Sequence, residues 1–519
     1  MKNIYKTAGS VGILFLVFVI IAMFIGNWGL AVVFAMLGLI LVVIPIRARY
    51  QRKEVWQRQH AGLHGSAEFA DKKEIEYFDP NTLAWGESLA LGWVSEKNWS
   101  PKLDPRYRVS KKHILTMAPT GSGKGIGCVI PTLLEYRGNV VCLDLKGENW
   151  AVTHARREAM GHRVIKLDPF GVCTGKTDTI NVLDWLYTFS DDIISDALMF
   201  ADSFVLSDRK DGRVDHWDES TKNLLQALFI HAIEKNLGLA DIRDIVCKSG
   251  DAFFGAIEPM IESPIPVVRR CAESYIEKEP KELSNLLSGT IRHTAILDEQ
   301  KIVKVLNTKD SGFSFENLKR SNVDIYIIIP PERVNTYGRY IRLIVSLCLT
   351  AVSRVKGPRQ VLFLLDEICQ IGRLDLLESA VSLMRGYGAF FWMIVQDLGQ
   401  LKGVYGPKWS TFFANSVRQF FGTTDYDTAK YLSDSLGNKT VFYTSIGTSG
   451  VDSDKESESE SESMMKKPLM SAAEISLMEP TEALIFEQSK KPAKVRKLNY
   501  LEDDVYKGLA DNNPMHQNA

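Results

Sequence analysis

The segment His113-Ile-Leu-Thr-Met117, followed at once by Ala118-Pro-Thr-Gly-Ser-Gly-Lys-Gly125, constrains the fold more than any other. An apolar run feeds a glycine-rich turn, and the turn opens a helical stretch. That order aims backbone N–H groups at a phosphate chain, and Lys124 adds a point charge. A second element answers it. Val361-Leu-Phe-Leu-Leu-Asp-Glu367 reads as a buried strand ending in two carboxylates. Carboxylates so placed suit Mg²⁺ binding and activation of a water. Together the two motifs predict an ATPase that uses ATP and Mg²⁺.

Apolar runs recur with helices between them, at 139–144, 163–167, 324–329, 361–366, 390–396 and 418–423. Several are apolar on both faces, as buried parallel strands are. Such alternation argues for an α/β parallel sheet. Between about residues 185 and 304 the strand signal vanishes, and segments 219–235, 251–261 and 265–279 carry helical spacing instead. This stretch reads as an all-α domain inserted into the α/β core.

The N-terminus reads as a two-helix membrane hairpin. Residues 8–25 are apolar apart from Ser10, and residues 30–46 carry no charge. At about 1.5 Å per residue each reaches roughly 26 Å, close to a bilayer core. Lys2 and Lys6 precede the first span, and Arg47, Arg49, Arg52, Lys53 and Arg58 follow the second. The positive-inside rule then puts both ends in the cytoplasm. A cleaved signal peptide is the rival reading, but a second span follows at once without an evident small-residue cleavage site.

The expected organisation is a hairpin over 1–53, a nucleotide-binding part over 54–184, the all-α domain over 185–304, the second nucleotide-binding part over 305–502, and a flexible tail over 503–519. Within the fourth, residues 452–463 run Asp-Ser-Asp-Lys and then alternate Glu with Ser, and read as a solvated acidic loop. The formal net charge is −1, which excludes bulk attraction to nucleic acid, so any DNA path is a local groove or channel. The 7 cysteines form no CxxC pair, as in a reduced cytoplasmic thiol set. The histidines do not cluster as metal ligands.

Beyond these motifs, Ile130-Pro-Thr-Leu-Leu134, Leu143-Asp-Leu-Lys-Gly-Glu-Asn-Trp150, Arg156-Arg157 leading to Leu167-Asp-Pro-Phe170, Ile180-Asn-Val-Leu-Asp184, Ile371-Gly-Arg-Leu374, Arg385-Gly-Tyr-Gly388 and Lys467-Pro-Leu-Met470 follow in order. In these residues the chain resembles the TraG-type coupling proteins of type IV secretion and conjugation, from His64 to about Tyr500. The resemblance implies a multi-pass ATPase of the bacterial inner membrane, with a RecA-like core and an all-α domain, its bulk cytoplasmic. It implies a hexameric ring linking a relaxase–DNA complex, or effector proteins, to the inner-membrane components of a secretion channel, with DNA bound without sequence preference. Three departures stand out. Ala118 replaces the first P-loop glycine, and Gly125 replaces the Ser or Thr whose hydroxyl usually serves Mg²⁺, so Thr120 or Ser122 is a candidate substitute. Leu145 replaces the family's usual proline.

Candidate roles follow. Lys124 and the backbone of Gly121, Ser122, Gly123 and Gly125 are expected to hold the β and γ phosphates. Asp366 is expected to serve the metal and Glu367 to polarise the attacking water; the plain alternative is an acidic pair capping a helix. Asp144 and Lys146, with Gly147 and Glu148, end a strand expected beside the P-loop strand and are candidates for nucleotide contact or a helix-capping turn. Gln396 ends another strand and is a candidate γ-phosphate sensor. Arg385 is a candidate for reaching a neighbouring subunit's nucleotide, or lies on a solvated helix face. Two rival functions are a substrate receptor at the channel without productive hydrolysis, and an FtsK-like DNA translocase. The latter class carries a C-terminal winged-helix reader that this chain does not show.

Overall fold

The computed structural model describes residues 14–75, 82, 86–94, 104–188, 190–205, 216–308, 312–449 and 457–514. The strands among them are β1 (Ser88–Trp93), β2 (Arg106–Ser110), β3 (His113–Met117), β4 (Asn139–Asp144), β5 (Arg163–Leu167), β6 (Val323–Ile328) and β7 (Val361–Leu365). They continue with β8 (Ala389–Val395), β9 (Ser416–Phe421), β10 (Asn438–Ser449), β11 (Ser457–Pro468), β12 (Glu482–Phe486) and β13 (Ala493–Arg496). Residues cluster into two units, one made of 1–69 with 429–477, the other of 70–428 with 478–519.

The larger unit holds an 11-stranded sheet in the order β2-β1-β13-β12-β9-β3-β8-β7-β4-β6-β5. From β9 to β5 every pairing is parallel. From β12 outward the pairings are antiparallel. The strands β3, β4, β7 and β8 are buried along their whole length, which is why they read as unbroken apolar runs. Three polar side chains inside are paired in a chain across the sheet. Trp392 Nε1 donates to Thr116 Oγ1 (2.8 Å), Thr116 Oγ1 to Gln419 Oε1 (2.8 Å), and Gln419 Nε2 to the Leu91 carbonyl (2.7 Å). Each group is satisfied, so its burial carries little penalty.

The six strands read from the sequence all form, β4 and β5 with the expected ends and the other four with ends shifted by a residue or two. The stretch expected to be helical is so: His216–Lys235, Asp251–Ile257 and Pro266–Ile276 are α-helices, and no strand forms among the described residues between 184 and 306. The antiparallel strands β1, β2, β12 and β13 escaped sequence reading.

The tail expectation is corrected for 503–514, the described part. These residues are poor in apolar content, but what they have is well placed. Tyr506 is fully buried and accepts from Arg106 Nη1 at 2.9 Å. Asp503 accepts from Trp93 Nε1 at 2.7 Å and from Arg496 at 2.6 Å.

The smaller unit begins with a helix over 14–24, a turn at Gly26 (φ 73°) and a second helix, Trp28–His60. The Asn27 side chain caps the second helix by accepting from Leu30 N at 3.2 Å. Phe18 and Phe34 stack across the pair, with ring centroids 5.3 Å apart. No helix among the described residues is long and apolar enough to cross a membrane. Strands β10 and β11 form a two-stranded antiparallel ribbon in this unit. Residues 457–463 of the expected acidic loop are therefore strand, and 452–456 lie outside the described residues. Alternation of Glu and Ser has the period of a strand, and charge content had masked that period. At the foot of the ribbon Phe442 packs edge-on against Trp56 (5.4 Å), and Glu462 pairs with Lys53 (2.9 Å). Residues 429–477, expected within the nucleotide-binding part, thus group with the N-terminal segment.

Candidate nucleotide site

Because β3, β8, β7 and β4 are parallel, their carboxyl ends open on one edge of the sheet, where an α/β fold places its ligand crevice. The turn after β3 has Gly121 and Gly123 at φ 78° and 84°, a conformation that favours glycine. An added Cβ at either would meet nothing within 4 Å. Backbone and Lys124 then enter a helix that starts with a π-type turn, Gly125–Val129, before Ile130–Glu135. Pro131 has no N–H to offer an α-helical ladder, which accounts for the wider turn.

Lys124 Nζ forms an ion pair with Glu367 and lies 3.5 Å from Asp366 Oδ1. The two motifs thus meet in space as they were expected to. Glu367 has a left-handed backbone (φ 53°, ψ 45°), an unfavourable choice for a non-glycine residue that clusters at functional sites. Its other oxygen accepts from Gln370 Nε2. Burial pushes the Asp366 carboxyl above the usual carboxylate range, while the Lys124 ammonium pulls the other way. Asp366 Oδ1 is buried without a hydrogen-bond partner.

Asp144 is placed differently from expectation. Strand β4 is not beside β3; β8 and β7 lie between them. Asp144 instead follows Leu143, which pairs with Leu365, so it sits next to Asp366. Its oxygens accept from Lys146 N (3.3 Å) and Trp150 N (2.9 Å), holding the start of helix Glu148–Ala159. Burial raises its carboxyl to about 7, against the pull of these two N–H groups. Lys146 is exposed. The neighbour of β3 is β8, in the register Met117 to Val395. Gln396 therefore emerges between the P-loop and Asp366, and is half-buried.

Of the two candidate substitutes for the missing hydroxyl, Thr120 is exposed. Ser122 Oγ is already bonded to the Pro119 carbonyl at 2.6 Å. Arg385 is not brought to this crevice. It lies in the short helix Met384–Tyr387 just before β8, at the amino edge of the sheet. Seven residues of strand at about 3.3 Å each put it roughly 20 Å away. Its charge is instead felt by His113, the first residue of β3, whose pKa falls to about 4, mainly through burial and then through this arginine.

Sequence reading missed the C-terminal support of the P-loop. Lys497 Nζ donates to the Ser122 carbonyl at 2.8 Å. The Leu498 carbonyl lies 3.0 Å from where a Cβ on Gly127 would stand. Asn513 Nδ2 donates to Glu148 Oε1 at 2.7 Å. Nothing local in the sequence marks these residues, which meet the turn only through the fold.

The family described as type IV secretory system conjugative DNA transfer matches residues 72–245 and 262–518. The chain is 25% identical over 496 residues to protein VirD4 of Rhizobium radiobacter, covering 91% of this chain and 69% of that one. It is 26% identical over 431 residues to the conjugal transfer protein TraG of Escherichia coli, covering 75% and 66%. Its fold is similar to that of the plasmid coupling protein TrwB in complex with ADP and Mg²⁺, at TM-score 0.58 and 17% identity over 83% of this chain and 96% of that one. With a sheet of this order, two converging phosphate motifs and a match along most of its length, the chain belongs to the type IV secretory system conjugative DNA transfer family, the coupling proteins of TraG type.

Proposed function

We propose that this chain is a membrane-anchored ATPase that recruits a relaxase–DNA complex or effector proteins to a type IV secretion channel and powers their transfer. The observation that carries the reading is the convergence of Lys124 on Asp366 and Glu367. The residues fit ATP and Mg²⁺: the turn at Gly121–Gly123 is open to a phosphate chain, and the buried Asp366 Oδ1 has the Lys124 ammonium 3.5 Å away but no hydrogen-bond partner. In this reading Lys124 and the backbone N–H groups of Gly121, Ser122, Gly123, Lys124 and Gly125 hold the phosphates, with Thr120 at the rim. Asp366 would hold the metal, Glu367 would draw a proton from the attacking water, and Gln396, between the P-loop and Asp366, would sense the γ-phosphate. Asp144 orients the segment carrying Lys146. Bound Mg²⁺ supplies charge neutralisation on the transferred group. Arg385, on the far edge of the sheet, acts on the site of the next subunit in a ring of six, which DNA threads without sequence preference. The TrwB complex with ADP and Mg²⁺ supports the nucleotide assignment by likeness of fold.

The anchor in this reading is the N-terminal hairpin in the inner membrane, with the bulk of the chain cytoplasmic. Its support is the exposed apolar surface of the helix pair, where Phe24, Ile25 and Trp28 are 91%, 76% and 65% exposed, far beyond scattered surface apolar residues.

Lys124→Ala is the test. ATP turnover and cargo transfer should both vanish while the protein stays in the membrane fraction; wild-type transfer by this variant would sink the motor reading. The receptor reading has its own support: Gly125 lacks the usual hydroxyl and that of Ser122 is engaged. Steady phosphate release by the wild-type protein, lost in Lys124→Ala, removes it.

A further inference from the structure

The edge of the sheet opposite the nucleotide crevice carries a cavity of about 570 Å³, within the size range of small-ligand sites. Gly138, His162, Asn322 and Gln360, which line it, each stand immediately before a parallel strand: β4, β5, β6 and β7. Strands of five or six residues separate the two edges by roughly 17–20 Å, so this is not an annex of the P-loop.

Three arginines line the cavity: Arg137, Arg156 and Arg359. None forms an ion pair among the described residues. Arg156 Nε makes one long bond to the Leu134 carbonyl (3.3 Å), and Arg359 Nε is buried with no partner. The contrast with Arg157 is instructive. That residue is consumed by the core, bonded to both oxygens of Asp324 and to the Gly138 carbonyl. Its neighbour Arg156 has no such employment.

The two lining carboxylates do not cancel the arginines. Glu135 is held by Arg106 and Arg108. Glu87 accepts from Gln360 Nε2 at 3.4 Å and lies 3.8 Å from Lys111. Asn322 Oδ1 and Gln360 Oε1, both on lining residues, are also buried without partners. Buried polar atoms without partners are uncommon in folded proteins, and each calls for a physical reason. The remaining wall is apolar, formed by Met160, Pro358, Val505 and Leu509.

We propose that this cavity binds a nucleoside phosphate, as a second site independent of the P-loop. Guanidinium groups are the preferred partners of phosphate oxygens, through paired N–H bonds. An apolar wall with two amide side chains suits a heterocyclic base that carries amino groups. The ligand is a free nucleotide or the phosphorylated end of a strand, two sources of one chemistry. No metal enters: the Asp366–Glu367 pair lies at the other edge, so binding here needs no Mg²⁺.

The test is calorimetric titration of the full-length protein in detergent with ADP, with Mg²⁺ and with EDTA. Wild type should take up two equivalents per chain. Lys124→Ala should retain the EDTA-resistant one. Arg156→Gln with Arg359→Gln should weaken that one by about tenfold or more, as loss of charge-assisted hydrogen bonds to phosphate implies, and leave the P-loop equivalent intact. Pyrophosphate should compete at the second site in Lys124→Ala. Comparing ADP with oligothymidylate, 5′-phosphorylated and not, on that variant separates the sources: preference for the phosphorylated strand points to a strand end, uptake of ADP alone to a free nucleotide. A single equivalent in wild type at millimolar ADP, or a second one unmoved by the arginine changes, overturns the proposal. The retained P-loop equivalent shows that the double variant is folded.

Discussion

Glu367 is the residue on which chemistry and backbone strain coincide. Its left-handed conformation costs about 1 kcal/mol or more for a side chain with a Cβ, and the fold holds it there beside Lys124. Glu367→Gln keeps the shape and removes the proposed base. Nucleotide binding, followed by fluorescence of a labelled analogue, should stay within a few-fold of wild type while phosphate release is lost. Normal release would transfer the role to Asp144 or Glu148. Asp144 carries a prediction of its own, through pH. Its native carboxyl titrates near 7 because it is buried, whereas an unfolded aspartate titrates near 3.9. Between those values folding takes up a proton, so stability is full below about 4 and falls as pH rises through 7. Asp144→Asn should flatten that slope in urea titrations at pH 5 and pH 8, at the cost of one of the two N–H bonds the carboxylate accepts. An unchanged slope would mean that another group governs it.

Elements differed in how plainly the sequence announced them. The parallel strands are apolar on both faces, so their signal is strong and local. The antiparallel strands were silent for a physical reason. Strand β2 reads Arg-Tyr-Arg-Val-Ser, yet it is buried because Arg106 and Arg108 meet Asp104 and Glu135 in an internal ion cluster. Charge compensation at long range has no sequence period. The Lys124 and Asp366–Glu367 pairing was legible because each half is a contiguous motif. The placement of Asp144 beside Asp366 was not, since strand order is a property of the whole sheet. The terminal segment shows the same limit. It looked like a tail because its packing rests on one buried tyrosine and a few half-buried apolar residues, Val505, Leu509 and Ala510. Tyr506→Ala should therefore destabilise the larger unit by about 3–5 kcal/mol, the usual cost for a fully buried aromatic, and should strip Arg106 of a partner. Denaturant unfolding of the variant measures this; a loss under about 1 kcal/mol would restore the tail reading.

For the whole molecule, the proposed role of Arg385 would link catalysis to assembly. A residue roughly 20 Å from its own phosphate turn contributes to hydrolysis only through a neighbour. Arg385→Ala should leave nucleotide affinity unchanged and abolish turnover. Mixed with Lys124→Ala, it should regain activity, because some interfaces then pair an intact turn with an intact arginine. No recovery in mixtures that still assemble would make Arg385 an ordinary exposed side chain.

The C-terminal support of the turn has a temporal side. Ser122 and Lys497 are 375 residues apart along the chain, and Asn513 reaches Glu148 across 365. Contacts of such separation form late, after loop closure of most of the polypeptide. The ribosome synthesises the glycine turn early, but its backing exists only once residue 513 has emerged. In a growing chain the glycine turn therefore goes without this backing until those residues have folded back onto it.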